Sequence, residues 1–195
     1  MLRGYIAQSR VMLRDTLLEL LPKEGSYSTR IPGFTLHRFD HPAPPRRITY
    51  TPMLVVVVQG KKWVKIGVEE FVYGDRTCFV AGVATPVLCC VQEASPEKPY
   101  LALTIDLDSI LFSRFLMRNL PCSAFGPKLG PESGRLFLSG AQVQNINDEL
   151  LDACLRLLRL QATPAQIPFL APLFRQEIHY RLLFRGEQSN PVHVG

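Results

Sequence analysis

Histidine is scarce in this sequence: there are four, and none of them lies between Leu54 and Leu107. That region is the most strand-like part of the chain, so a metal site built on histidine inside a small β-barrel is not expected there. Enzyme motifs are missing as well. No serine occupies a Gly-x-Ser-x-Gly elbow, and neither a phosphate-cradling glycine loop nor a Gly-x-Gly-x-x-Gly fingerprint occurs. We therefore expect no catalytic residue, no metal and no cofactor.

Long hydrophobic runs are also missing. No apolar stretch approaches the roughly 18 residues that span a bilayer, and the first ten residues lack the continuous apolar core of a secretory signal. We expect a cytoplasmic protein with no membrane partner. The five cysteines are an odd number, and two of them, Cys89 and Cys90, are adjacent. This pattern does not suit a disulfide framework and predicts small buried side chains instead.

Charge gives no strong indication of a partner. The net charge of +5 permits contact with nucleic acid, but the basic residues are scattered. We expect the denser sets, Arg46-Arg47 and Lys61-Lys62 with Lys65, to lie on solvated strand faces or turns. Glu69-Glu70 are expected in a hairpin turn.

The segment from Leu54 to Tyr73 carries the clearest structural pattern. An apolar run with four consecutive valines favours a buried strand, and Gly60 and Gly67 then mark turns that require positive φ. Similar short strands recur at spacings typical of a barrel or sandwich. The predicted strands are 34–39, 53–59, 62–66, 69–73, 77–80, 86–93 and 100–106.

The sequence predicts a mixed fold, with strands first and helices afterwards. Helical spacing of leucines predicts a helix over 10–21, and later helices are predicted over 109–120, 141–161 and 168–184, with a loop over 121–134. The expected domains are an N-terminal helix or arm (1–25), a β-barrel (26–108), a helical segment (109–186) and a tail (187–195).

The predicted helix at 141–161 has two apolar stripes. Val143, Ile146, Leu150, Ala153, Leu157 and Leu160 form a heptad stripe, and Leu151, Cys154, Leu155 and Leu158 lie beside it. One stripe suffices for packing on a sheet, so the second predicts another partner. We expect a second copy of the chain to pack there in a homodimer. The alternative is that the final helix of the same chain covers this stripe.

A series of short motifs occurs in order along the chain. They are Leu21-Pro-Lys-Glu-Gly, Thr29-Arg-Ile-Pro-Gly-Phe, Tyr50-Thr-Pro, Val58-Gln-Gly-Lys-Lys, Phe71-Val-Tyr-Gly, Glu93-Ala-Ser-Pro-Glu-Lys-Pro-Tyr-Leu-Ala-Leu and Leu107-Asp. Together they resemble the N-terminal regulatory domain of AraC-type transcriptional regulators over roughly residues 12–125. Phe174-Arg-Gln-Glu-Ile-His-Tyr-Arg-Leu-Leu resembles the helix that precedes the DNA-binding part in this family.

The resemblance implies a cupin-like β-barrel or jelly roll, followed by helices, that senses a small effector and dimerises. In the family, a pair of C-terminal helix-turn-helix units binds DNA. This sequence ends at Gly195 and leaves no room for them. We therefore expect DNA binding only through a domain that this chain lacks, whether the chain is an excised domain or a natural truncation.

Four polar residues interrupt the apolar strands and are candidates for binding an effector: His37, Gln59, Tyr73 and Glu93. Ligand pockets are mostly apolar with few such groups. Trp63 alternates with Val64 and is expected on the outer face or under a covering segment rather than in the barrel interior. The leading hypothesis is a ligand-sensing, dimerising regulatory domain that is not an enzyme. The alternatives are an oligomerisation domain whose barrel is filled with side chains and, less favoured, a cupin-type metalloenzyme.

Overall fold

The computed structural model describes residues 2–108 and 141–183 of the chain, and for residues 2–7 it describes the backbone only. Two antiparallel sheets face each other, and helices cover the outer side of the larger sheet. The strands are β1 (Gly25–Ser28), β2 (Phe34–Phe39), β3 (Arg46–Tyr50), β4 (Met53–Gln59), β5 (Lys61–Ile66), β6 (Glu69–Gly74), β7 (Thr77–Ala81), β8 (Thr85–Glu93), β9 (Tyr100–Asp106) and β10 (Ala141–Asn145). The helices are α1 (Leu2–Leu20), α2 (Asp148–Arg159) and α3 (Ile167–Leu183).

The larger sheet has the strand order β1-β2-β9-β4-β7-β10, and the smaller one has the order β3-β8-β5-β6. All of the paired strands run antiparallel. The fold class predicted from the sequence, a cupin-like β-barrel or jelly roll followed by helices, is confirmed, with the strands forming two facing sheets rather than a closed barrel.

Strand β4 lies in the middle of the larger sheet and is buried on both faces. Leu54, Val56 and Val58 belong to the core beneath the helices. Val55 and Val57 belong to the core between the two sheets. An unbroken apolar run is the sequence that such a strand needs, since neither face meets water. The larger sheet therefore lies between two hydrophobic cores and contributes side chains to both.

Apolar side chains from each helix pack the helical layer against the larger sheet. Leu13 and Leu17 of α1, Leu157 of α2 and Ile178 of α3 are all fully buried. Helix α2 begins after Asn147, whose Oδ1 accepts a hydrogen bond from the backbone N–H of Leu150 at 3.0 Å. None of the helices in the described part of the chain combines the length and apolar character that crossing a bilayer requires.

The helix predicted over 141–161 is wrong in its first part. Residues Ala141–Asn145 form β10, which pairs with β7, and Val143 packs in the core between the sheets. The helix starts only after the cap at Asn147, so two of the six residues of the predicted heptad stripe, Val143 and Ile146, precede it. The sequence analysis also missed β1 and β3, and it began α1 too late. The helix at 109–120 and the loop at 121–134 lie outside the described residues.

Turn geometry follows the glycines. Gly60 has φ +86° and Gly67 has φ +58°, as the sequence predicted. The hairpin turn between β5 and β6 is formed by Gly67 and Val68, so Glu69 and Glu70 lie in β6 rather than in the turn. Glu70 pairs with Lys65 across the strands because both side chains lie on the outer face.

Candidate functional site

The core between the two sheets is filled at one end by aromatic rings. Tyr73 stacks on Phe79 with ring centroids 5.0 Å apart, and Tyr50 meets Phe79 edge to face at 5.7 Å. The hydroxyl oxygens of Tyr50 and Tyr73 lie 3.4 Å apart. Burial raises the pKa of both phenols well above its usual range, so both stay neutral. This end of the space is a packed aromatic core.

His37 gives the same space a polar side. Phe34 and Leu36 face the helices, so the alternation of β2 turns His37 towards the smaller sheet. Its Nδ1 lies 2.9 Å from Ser26 Oγ, and its Nε2 lies 2.8 Å from Thr104 Oγ1. Burial, followed by the charges of Lys62 and Arg46, lowers the pKa of His37 to about 4. The ring is therefore neutral at pH 7, with one nitrogen donating and one accepting.

Lys62 enters this space from the opposite sheet. Its Nζ lies 5.3 Å from the centroid of the Tyr50 ring, a cation–π distance. In the part of the chain that the structure describes, Lys62 has no carboxylate partner. Desolvation lowers the pKa of its ammonium group, the cysteines Cys89 and Cys90 raise it, and Arg46 lowers it. We call His37, Thr104 and Lys62 the inter-sheet polar cluster; Arg46 is exposed on the edge strand β3 and acts on the cluster only through its charge.

Gln59 and Glu93 lie elsewhere, at the ends of β4 and β8. Gln59 Nε2 donates to the carbonyl of Pro99 at 2.8 Å, and Lys61 Nζ donates to Glu93 Oε1 at 2.6 Å. Both residues line a pocket of about 390 Å³ between the strand ends and α1. We call it the end pocket; its lining is Arg10, Val11, Arg14, Val58, Gln59, Gly60, Lys61, Asp75, Glu93 and Lys98.

The four predicted ligand residues thus fall into two places. His37 and Tyr73 lie between the sheets, whereas Gln59 and Glu93 line the end pocket. The sequence analysis missed Lys62 by placing it on a solvated face. The signal was present, because Val64 two residues later is buried and strand side chains alternate with period two. Trp63 and Lys65 lie on the outer face with Glu70, as predicted for the tryptophan.

Comparison with models of known protein families identifies the family of this chain. Residues 30–190 match the family described as AraC-type transcriptional regulator N-terminus. The chain belongs to this family. The motifs that suggested it, from Thr29 through Leu107, and the helix at 174–183 lie within or at the border of the matched range.

Solved structures resemble this AraC-type domain in fold. The AraC-like transcriptional activator CuxR aligns with a TM-score of 0.47 and 8% identity over 85% of this chain and 58% of CuxR. An apo ToxT variant from Vibrio cholerae aligns with a TM-score of 0.43 and 6% identity over 81% of this chain and 60% of ToxT. This chain therefore spans about 60% of the length of these regulators.

A cupin-2 domain protein from Shewanella frigidimarina aligns with a TM-score of 0.34 and 11% identity over 51% of this chain and 98% of that protein. A search of curated proteins finds no match.

The stripe predicted to form the dimer interface of this AraC-type domain is buried within one chain. Leu151 and Leu155 are each 2% exposed, and Cys154 and Leu158 are fully buried. They lie in the core formed by α1, α2, α3 and the larger sheet. The structure corrects the assignment of these four residues: the alternative, a partner from the same chain, accounts for them. Homodimerisation itself stays a prediction.

Helix α3 of the AraC-type domain is tied directly to the sandwich. Arg175 donates from Nη1 to the carbonyl of Pro32 at 2.7 Å and from Nη2 to the carbonyl of Asp106 at 2.9 Å. His179 Nε2 accepts from the backbone N–H of Asp108 at 2.9 Å. These bonds connect the end of β9 to α3, the last described helix. A displacement of β9 would therefore also displace α3.

Proposed function

We propose that this chain is the effector-sensing region of an AraC-type regulator, and that the effector binds between the sheets at the inter-sheet polar cluster. The observation that carries the proposal is Lys62: a lysine pointed into a core, with no carboxylate partner in the described part of the chain. Removing an ammonium group from water costs free energy that a bonded partner would recover.

The chemistry of the cluster suits a small molecule with an acceptor group. Lys62 would donate to that group, and His37 and Thr104 could each donate or accept beside it. Val55, Val57 and Tyr50 would contact the rest of the molecule. A few convergent polar groups within an apolar lining are typical of ligand sites.

The output of sensing would pass through α3. The bonds of Arg175 and His179 join the end of β9 to this helix, so a ligand that prefers one position of β9 shifts the position of α3. DNA binding by the whole regulator, its action in the cytoplasm and its pairing as a homodimer belong to the same proposal. The role is regulatory, not catalytic.

The proposal is tested by calorimetric titration of the chain with a panel of small metabolites. A compound that binds the wild type is then titrated into Lys62→Met and into Lys65→Met. Lys65 is a matched control because it lies on the same strand but on the outer face, paired with Glu70. We expect Lys62→Met to weaken binding at least about tenfold and Lys65→Met to leave it unchanged. Equal loss in both variants would contradict the proposed site.

The second candidate is an oligomerisation domain with a filled sandwich. The stacked rings of Tyr50, Phe79 and Tyr73 favour it, because they occupy one end of the space between the sheets. A panel that gives neither heat nor thermal stabilisation, together with a concentration-dependent dimer in sedimentation, would favour this alternative over sensing.

A further inference from the structure

The end pocket lies outside the space between the sheets. It is bounded by α1 on one side and by the ends of β4 and β8 on the other, and its volume is about 390 Å³. A small metabolite of drug-like size or less fits such a volume. Every residue of its lining belongs to the described part of the chain.

The lining has an excess of positive charge. It contains four cationic side chains, Arg10, Arg14, Lys61 and Lys98, and two carboxylates, Asp75 and Glu93. Lys61 is paired with Glu93 at 2.6 Å, and Arg14 is paired with Asp15 at 2.8 Å. Within the lining, Arg10 and Lys98 then remain opposite Asp75, and two further charges of opposite sign, Arg76 and Asp148, act on Arg10 from outside the lining.

Arg10 is the unusual member of this set. Its Nε is covered from solvent and donates no hydrogen bond within the described residues. Burial is the main cause that lowers the pKa of the guanidinium; the charge of Asp75 raises it, that of Arg76 lowers it and that of Asp148 raises it. A charged donor left without an acceptor costs more than an ordinary polar group, so its position calls for an anionic acceptor.

We propose that the end pocket binds a small oxyanion, the phosphate or carboxylate group of a metabolite, with Arg10 as its main ligand and Lys98 as a second. This site is separate from the effector site proposed between the sheets. Guanidinium groups suit oxyanions because their N–H donors match the geometry of two oxygens.

Because of the position of the pocket, a bound anion would also link two parts of the fold. Arg10 belongs to α1, whereas Lys98 lies in the connection between β8 and β9. An anion held by both would join α1 to the sandwich at a point where, among the described residues, no hydrogen bond of Arg10 does so. The carboxylates of Asp75 and Asp148 limit the positive charge around Arg10, which favours a small anion over an extended polyanion.

The test measures the thermal stability of the full chain in sodium phosphate and in sodium citrate, each against sodium chloride at equal ionic strength. The comparison at equal ionic strength removes general screening. We expect phosphate or citrate to raise the melting temperature of the wild type, and the two arms distinguish phosphate from carboxylate recognition. Calorimetric titration with the better anion then gives its dissociation constant.

Arg10→Met should weaken that constant at least about tenfold, and Lys98→Met should weaken it to a smaller extent. Arg30→Met is the charge-matched control, since Arg30 is exposed in the β1–β2 connection and does not line the pocket. Should Arg10→Met fail to fold, Arg10→Lys keeps the charge but loses Nε, and the same weakening is expected. Equal stabilisation of wild type, Arg10→Met and Arg10→Lys would overturn the proposal, as would a wild type that neither anion stabilises beyond chloride.

Discussion

Gly60 is the residue on which the tight turn between β4 and β5 depends. Its φ of +86° is in the left-handed region, and a Cβ there would lie 2.5 Å from the carbonyl oxygen of Glu93. Gly67 also has positive φ, but no atom lies within 4 Å of its Cβ position. We expect Gly60→Ala to lower the free energy of unfolding by on the order of 3 kcal/mol and Gly67→Ala by about 1 kcal/mol. Urea denaturation measures both, and equal losses would contradict the steric argument.

His37 should make stability depend on pH in a defined window. Burial holds its pKa at about 4 in the folded chain, whereas the unfolded value is about 6.5. Between these values the unfolded chain binds more protons, so the free energy of unfolding decreases as pH falls from about 6.5 to about 4. Allowing for partial exposure, the contribution of His37 is on the order of 2 kcal/mol.

The measurement is chemical denaturation between pH 7 and pH 4. We expect His37→Gln to flatten the dependence, while His41→Gln leaves it unchanged because the side chain of His41 is 69% exposed. His179, whose pKa is also lowered by burial, contributes in the same direction and is retained in both variants. Identical slopes in wild type and His37→Gln would show that His37 is not the group responsible.

The position of a single residue could be predicted from the sequence where it depends on the residue itself or on its neighbours along the chain. The turns at Gly60 and Gly67 follow from the sequence because positive φ is a property of the residue itself. The outward position of Trp63 follows from alternation. The same alternation turns Lys62 inward, yet the sequence does not show that the opposite sheet brings Tyr50 over its ammonium group. The unbonded Nε of Arg10 likewise depends on how α1 packs, which no local pattern encodes.

At the scale of elements, α2 is the helix whose role the structure changes. Leu155 is 2% exposed and packs in the core beneath the larger sheet. Leu155→Ala should therefore lower the free energy of unfolding by roughly 2–5 kcal/mol. Leu173→Ala on α3, where the side chain is 58% exposed, should cost less than about 1 kcal/mol. Thermal or urea denaturation of the two variants makes this comparison.

A charge at the same position separates packing from dimer formation. We expect Leu155→Asp to abolish the folded state, because a carboxylate would be buried without a partner. A folded Leu155→Asp chain that sediments as a monomer, beside a dimeric wild type, would instead restore the dimer interface to α2.

Strands and helices were predictable where a periodic pattern of apolar residues is long and is bounded by turn or cap residues. The strands of the Leu54–Tyr73 region and α3 were located closely for this reason. Strand β10 was missed because Val143 and Ile146 continue the heptad spacing of α2, and only Asn147, as a cap, marks the boundary. Strand β3 was missed because it is an edge strand with Arg46 and Arg47 exposed, so it lacks a buried apolar pattern.

At the scale of the whole molecule, the larger sheet separates two cores of different composition. The core on the helix side is built mainly from leucines and other apolar side chains, which suits rigid attachment of α1, α2 and α3. The core between the sheets contains tyrosines and adjoins the inter-sheet polar cluster, which suits a ligand. Since β4 and β9 have side chains in both cores, a change on one side of the sheet can alter packing on the other.

Arg175 is the connection through which such a change would reach α3. Its two hydrogen bonds, to the carbonyls of Pro32 and Asp106, are charge-assisted and join α3 to β9 and to the β1–β2 connection. We expect Arg175→Met to speed amide hydrogen exchange in α3 and over residues 105–108, while leaving β5 and β6 unchanged. Arg181→Met is the matched control, because Arg181 lies on the same helix but bonds to Glu177 and Glu149. It should loosen the contact between α2 and α3 without affecting exchange over residues 105–108. Equal protection there in wild type and Arg175→Met would mean that the bonds of Arg175 do not hold α3 on β9, and that β9 cannot signal to α3 through Arg175.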